Sequence, residues 1–400
     1  MFHSMHLLRA FAPVAFCICV GACGGGSANG PSPAIAPTMA APSSCALASP
    51  GPASTQTRVR LGFYYFDGWS GPLTNFHFKG LPGGMYAGRE PVTGWQDNSA
   101  CAVEQQLAFA HRFGINFFVF DWYFNAAVVD PGENLNSALQ ITHSLPDRHG
   151  MQFAILYVDG PPFVAGPADW PDVIAEWTGY MSDPAYVRVN GKPLLIVLDI
   201  DNMHQAFGSS AATASAFAQL KAVAQAKGLP GVFIAGVFGV AEGSSGQDAL
   251  FPDPIATSVA DGYDALTMYN YPFVPPVVNG MEPYANLSAA GHWIWEQCAV
   301  KCPLPAIPVV TDGWDPRPWN GTDPNGNLVW YDRTAQGVSA DIHDTIALSN
   351  NNAMLRLEPA PSPPMVLVEA WNELGEGSYI VPTVGDGTAY GDALSGMLTQ

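Results

Sequence analysis

Charge is scarce in this 400-residue chain. Only 12% of its residues are charged, and 15 Lys and Arg face 34 Asp and Glu, for a net charge of −19 at pH 7. Phosphate backbones are held by clustered cations, so this balance excludes nucleic acid as a partner. Long apolar runs are also missing. The stretch Phe11 to Val20 (FAPVAFCICV) is too short to span a bilayer as a permanent helix, which takes about 20 residues. No Gly-x-Gly-x-x-Gly follows the first strand-like run, which lowers a dinucleotide-binding reading. Cysteine is sparse, at 7, and no His or second Cys pair stands beside Cys298 at ligand spacing, so no metal or cofactor is expected. Aromatic residues, by contrast, are plentiful. The 11 Trp, 14 Tyr and 21 Phe are too many for a solvated coil, and the chain is long enough to bury one large core. Its 41 Gly and 36 Pro suit a loop-rich exported enzyme.

The N-terminus reads as a processing signal. Arg9 precedes the short apolar run, which ends in Val20-Gly21-Ala22-Cys23. That ending resembles the lipobox of bacterial lipoproteins. The resemblance implies removal of residues 1–22, acylation of Cys23 and a membrane anchor facing the cell envelope; an ordinary signal peptide cut at a small-residue site is the alternative. Residues 23–57 carry Gly, Pro, Ala and Ser without helical or strand period, as a flexible tether does. Residues 58–400 are expected to form one domain. Four cysteines remain after Cys17, Cys19 and Cys23, and Cys298 and Cys302 are four apart just before Pro303. A local bridge there leaves Cys45–Cys101 as the second, with free buried thiols as the competing reading.

From about residue 58, short apolar runs alternate with longer amphipathic ones. The runs are Arg60–Phe66, Asn116–Trp122, Gln152–Val158, Pro193–Asp199, Gly231–Phe238, Ala265–Tyr269, Ile307–Thr311 and Met365–Trp371. Several are apolar throughout, as in strands covered on both faces of a parallel sheet. Helices are expected near 102–113, 133–145, 170–181, 209–226, 241–260, 283–299 and 334–349, with a short one closing the chain. Eight such units predict a single closed (β/α)₈ barrel.

In such a barrel the functional residues sit where the strands end. Those ends carry Tyr65 and Asp67, Asp121 and Trp122, Tyr157, Asp199, Tyr269 and Tyr271, then Trp314, Asp315 and Arg317, and finally Trp371 and Asn372. Carboxylates beside Trp and Tyr describe a pocket that stacks on sugar faces and accepts hydrogen bonds from vicinal hydroxyls, so these residues are the candidate substrate contacts. Arg317 can orient a carboxylate in its fork geometry. His77, His111, His204, His292 and His343 are read as structural or surface residues.

The sharpest pattern is Glu369-Ala370-Trp371-Asn372-Glu373-Leu374-Gly375-Glu376-Gly377. Two carboxylates three residues apart push each other's pKa apart, so one site can hold a base and an acid, the logic of glycoside cleavage. Asn372-Glu373-x-x-Glu376-Gly377 resembles the N-E-W-x-E-G signature of the WbsX-like proteins and of glycoside hydrolase family 99, which are endo-acting α-mannosidases on a (β/α)₈ barrel. The likeness extends to GFYYFDGW in the first strand, Asp121-Trp122-Tyr123, Val189 to Pro193, Gly313-Trp314-Asp315-Pro316-Arg317-Pro318 and Tyr390-Gly391. It implies a retaining hydrolase working through a 1,2-anhydro sugar, with Glu373 as base toward the 2-hydroxyl and Glu376 as acid/base. Leu374 stands where the family usually has Trp, a departure at the subsite wall.

The expectation is therefore an exported, lipid-anchored, monomeric glycoside hydrolase acting on an α-linked, mannose-like polysaccharide. Its partner is carbohydrate. Two other readings stay open: a polysaccharide-assembly glycosyltransferase of the WbsX-like type, and a non-catalytic carbohydrate-binding barrel.

Overall fold

The computed structural model describes residues 57–399, apart from 127–133, 240–252, 275–278 and 323–325. The expected signal segment, Cys23 and Cys45 lie outside the described residues. Eight parallel strands form the core: β1 (Arg60–Tyr65), β2 (Phe117–Tyr123), β3 (Gln152–Val158), β4 (Lys192–Val197), β5 (Phe233–Val237), β6 (Ala265–Thr267), β7 (Val309–Thr311) and β8 (Met365–Glu369). They pair in sequence from β1 to β6, and β8 lies between β1 and β7. A parallel bridge between Leu266 and Ala306, flanked by Leu266 N–H to Pro305 O and Ile307 N–H to Leu266 O, both 2.9 Å, brings β6 to β7 and closes the ring. This is a (β/α)₈ barrel.

Every residue of β2 and β8 is buried, because one face fills the barrel and the other meets the helical layer. That layer comprises α1 (Ala100–Phe113), α2 (Ser137–Ser144), α3 (Trp170–Met181), α4 (Ile200–Phe207), α5 (Ser210–Ala226), α6 (Asp253–Asp261), α7 (Tyr284–Lys301), α8 (Ala335–Asn350) and α9 (Ala389–Leu398). Local chemistry sets several ends. Gly114 terminates α1 in the left-handed conformation, and the Ser209 side chain accepts from Ala212 N at the start of α5. The extra helix α4 was not expected from the sequence: Asp199 accepts from the backbone N–H groups of Asp201 and Asn202 and so starts a helix directly after β4. Cys298 and Cys302 are disulfide-bonded across the last turn of α7, with Cα atoms 4.7 Å apart.

Candidate active site

The motif after β8 folds as a tight hairpin. Asn372 and Glu373 pair antiparallel with Tyr379 and Ser378, leaving Leu374–Gly377 as the turn. Gly377 adopts φ +77°, and a Cβ there would lie 2.7 Å from the Asp315 backbone nitrogen. At Gly375 a Cβ would fall inside the Trp319 ring, 2.0 Å from Cζ2. The two glycines are what let the loop after β7 lie directly on the hairpin.

Arg89, in a turn of the long β1–α1 connection, fastens the two loops together. Its guanidinium donates to Leu374 O at 2.8 Å, to Asp315 O at 3.1 Å and to the Asp315 carboxylate. Arg317 grips the same carboxylate from its other side through Nε and Nη2, at 2.6 and 2.8 Å. Burial alone would raise the Asp315 pKa, but these two cations outweigh it and hold the carboxyl below its ordinary range. Asn372 ties the hairpin to the end of β1, accepting from Phe66 N–H at 2.9 Å and donating to Phe66 O at 2.8 Å.

Five carboxylates converge where β2, β7, β8 and the hairpin meet: Asp121, Asp312, Glu369, Glu373 and Glu376. Four are fully buried, and Glu376 alone is part-exposed. The Tyr269 hydroxyl sits 2.9 Å from Glu373 Oε1 and 3.0 Å from Asp121 Oδ2. Ser378 Oγ lies 2.6 Å from Gly313 O and 3.0 Å from Glu369 Oε2. The cation closest to this group is Arg333, stacked between Tyr379 and Tyr390 with ring centroids 4.2 and 4.3 Å away, and 3.6 Å from Asp312 Oδ1.

With so little positive charge, burial dominates. It lifts the Asp312 carboxyl to about 7 despite Arg333, and the Glu373 carboxyl to about 7 despite the Tyr269 hydrogen bond. Glu376 is raised well above the ordinary value by burial, then by the nearby charges of Glu373 and Asp121. Glu369 and Asp121 are raised for the same reasons. One oxygen on each of Asp121, Glu373 and Glu376, together with the Tyr123 hydroxyl, is buried without a hydrogen-bond partner among the described residues. No group of three His, Cys, Asp or Glu among the described residues is arranged to hold a metal ion.

Side-chain alternation separates the expected contact residues. Asp121 points into the barrel, so Trp122 next to it must point out. Trp122 donates to Glu176 on α3 and, with Tyr157, packs on Trp177 of the same helix. Tyr65 packs on Phe118 and Phe120, and Trp371 donates to Gln106 of α1. Tyr271 bonds the backbone of β7, and a Cβ on Gly291 of α7 would lie 2.3 Å from its hydroxyl. These five aromatics bind helices to barrel, whereas the sequence reading expected them to form a sugar-stacking wall. Asp67 accepts from the N-terminal amides of α2, and Asp199 caps α4. Trp314 is buried against Phe273, beside the Asp315–Arg317 pair. Only Asp121 and Tyr269 of the expected contacts join Glu373 and Glu376.

Three participants, Tyr64, Arg89 and Arg333, escaped the sequence reading, and Tyr123 entered it only within the Asp121-Trp122-Tyr123 stretch. Tyr123 lies two residues past Asp121 and therefore on the same inward face, a signal that strict alternation carries. Tyr64 likewise points inward and donates to Met268 O at 3.0 Å. Arg89 and Arg333 stand in irregular segments where no periodicity marks them.

The sequence model of the family described as "Glycosyltransferase WbsX" matches residues 164–394, more than half of the chain. The chain belongs to the WbsX family. A search of curated proteins finds no match. Among solved structures, this WbsX member is similar to a "glycoside hydrolase-like protein" at 18% identity and TM-score 0.54, over 88% of this chain and 97% of that one. It is similar also to the GH99 endo-alpha-mannosidase from Bacteroides thetaiotaomicron, at 15% identity and TM-score 0.54, over 85% of this chain and 96% of that one. At these identities the likeness is one of fold.

Proposed function

We propose that this WbsX family member is a retaining glycoside hydrolase acting on α-linked, mannose-like glycans, with Glu373 as base and Glu376 as acid/base. The observation that carries the reading is the carboxylate pair at the C-terminal end of the barrel, uncompensated by any cation, each member keeping a buried oxygen that no described residue hydrogen-bonds. Glu373 takes the proton of the sugar 2-hydroxyl as O2 bonds to C1. The bond from C1 to the departing oxygen breaks toward that oxygen, which receives the proton of Glu376. Glu376, now a carboxylate, then deprotonates a water. The water oxygen attacks C1, the C1–O2 bond opens, and O2 recovers its proton from Glu373.

The pKa directions suit these roles: a raised Glu376 stays protonated as an acid must, and a Glu373 near 7 is a usable base in neutral medium. Oxygens of both glutamates that lack protein donors offer acceptors to sugar hydroxyls. The test is a glycan screen with α-mannans and exopolysaccharides, followed by a 2-deoxy analogue of the substrate found. The analogue should bind and stay intact. Its hydrolysis at a rate near the parent's would eliminate the anhydro-sugar route.

The family's name favours a second reading, glycosyl transfer in polysaccharide assembly. It predicts turnover of an activated sugar donor with no hydrolysis of a finished glycan, so the same screen separates the two. We also infer export with acylation at Cys23. Mass spectrometry of the mature protein should find a diacylglyceryl-modified Cys23 as the first residue, and an unmodified N-terminus elsewhere would refute it.

A further inference from the structure

Tyr269 stands between two buried acids, and its chemistry restricts them both. A phenol has one hydrogen to donate and lone pairs that accept. The Tyr269 oxygen nevertheless lies within hydrogen-bond distance of two carboxyl groups, 2.9 Å from Glu373 and 3.0 Å from Asp121. If both were carboxylates, one of these close approaches would set two lone pairs against each other in a dry interior. One contact must therefore run toward the phenol, from a protonated carboxyl.

We infer that Asp121 is held as the neutral acid and donates to Tyr269, which passes its own hydrogen to Glu373, so that the two acids share one negative charge and it resides on Glu373. The inference deepens the proposed function, since it rests on Glu373 being the base. Asp121 is then a positioning residue. It orients the Tyr269 hydroxyl, and that hydroxyl keeps the base ionised and its second oxygen turned to the substrate.

The surroundings favour this placement of the proton. Asp121 is on β2, inside the barrel, and the groups facing it are Glu373 and Glu376 of the hairpin, Tyr64 of β1, Tyr123 of β2 and Tyr269. Glu373 faces Glu369 of β8 as well as Glu376. None of these is a cation. The arginines of the region are engaged elsewhere, Arg333 with Asp312 and Arg89 with Asp315. Burial drives Asp121 well above the ordinary carboxyl value, whereas Glu373 reaches only about 7. A shared proton across such a pair is the expected result of like charges brought together in a low-dielectric site.

Difference infrared spectroscopy of the full domain tests this without a substrate. Above the Glu373 midpoint, the spectrum should contain a protonated-carboxyl stretch that disappears in Asp121→Asn and persists in Glu373→Gln. Asn supplies a neutral donor in place of a neutral acid, so the Glu373 midpoint should stay within about half a pKa unit of its wild-type position. A fall of about one unit or more would mean that Asp121 had been ionised, and would overturn the inference. So would a stretch that vanishes in Glu373→Gln but survives in Asp121→Asn. Tyr269→Phe, which keeps the ring, gives a second handle: the Glu373 midpoint should rise once its donor is lost, and an unmoved midpoint would overturn the relay. If these titrations come out as expected while no glycan is cleaved, the proton placement stands and the hydrolase reading fails.

Discussion

Asp315 and Glu376 are joined by a backbone hydrogen bond, Asp315 N–H to Glu376 O, yet their side chains live in opposite electrostatic surroundings. Asp315 is gripped by Arg89 and Arg317 and is pulled toward the charged form. Glu376, three residues from Glu373 in the hairpin, meets only other acids and is pushed toward the neutral form. Of 15 Lys and Arg, Arg89 from the β1–α1 connection and Arg317 from the loop after β7 are set on Asp315, and none among the described residues stands beside the pair of glutamates. Charge pairing here serves rigidity, and its withholding suits the proton transfer proposed for the pair. A paired carboxylate has no proton to exchange near neutral pH; an unpaired, buried one does.

The largest expected effect falls on the unpaired side. Glu373→Gln and Glu376→Gln should each cost about 10²–10⁴-fold in turnover of the glycan found by screening, with the fold intact by circular dichroism. Retention of full turnover by either would remove that residue from the mechanism. On the paired side, Arg89→Met should leave Asp315 with one cation and the hairpin without its tie to Leu374 O, at roughly 3 kcal/mol of stability. Denaturant unfolding measures this, and a change below ~1 kcal/mol would reduce the pair to a surface contact. Gly377→Ala attacks the seam itself. The left-handed φ of +77° and the 2.7 Å approach to Asp315 predict a loss of roughly 2 kcal/mol, read as a lower melting temperature.

The smallest effect is a pH dependence of opposite sign in the two regions. Asp312 and Glu373 rise from ordinary values of 3.8 and 4.5 to about 7. Between those limits the folded protein binds more protons than the unfolded chain, so stability falls as pH rises through this window. Asp315 works the other way: its stabilisation is present above 3.8 and is lost on acidification through its depressed value. Thermal melts should therefore peak in mildly acidic buffer and decline toward neutrality. A melting temperature that climbs steadily from pH ~5 to ~8 would contradict the raised values of these two buried acids.

The barrel was legible because its strands are buried on both faces, which leaves runs such as Phe117–Phe120 and Met365–Val368 without a polar break. The turn after β8 was legible because two glutamates three residues apart, with glycines at 375 and 377, have few structural uses. The wall of the site was not. Strand ends are rich in aromatics for two reasons, ligand contact and helix packing, and composition does not separate them. Alternation does: counting inward from Asp121 selects Tyr123 and discards Trp122. Asp199 was misplaced for a different reason, since an acid that caps a short helix and an acid that lines a pocket look alike until the helix is seen.

Trp319 carries a consequence of another kind. Its indole lies on Gly375 at a distance that admits no side chain, and its Nε1–H is anchored to His77 O at 2.9 Å. Leu374, where the family usually has Trp, is buried next to it. An indole thus does lie against this turn, but it is supplied by a different loop. The two loops are consequently not free to diverge separately. A larger residue at position 375 is viable only after position 319 has shrunk, so the order in which substitutions arrive constrains which sequences descend from this one. Homologues that reshape the turn should carry a matching change some fifty residues earlier, and grafting either loop alone into a relative should fail where grafting both succeeds.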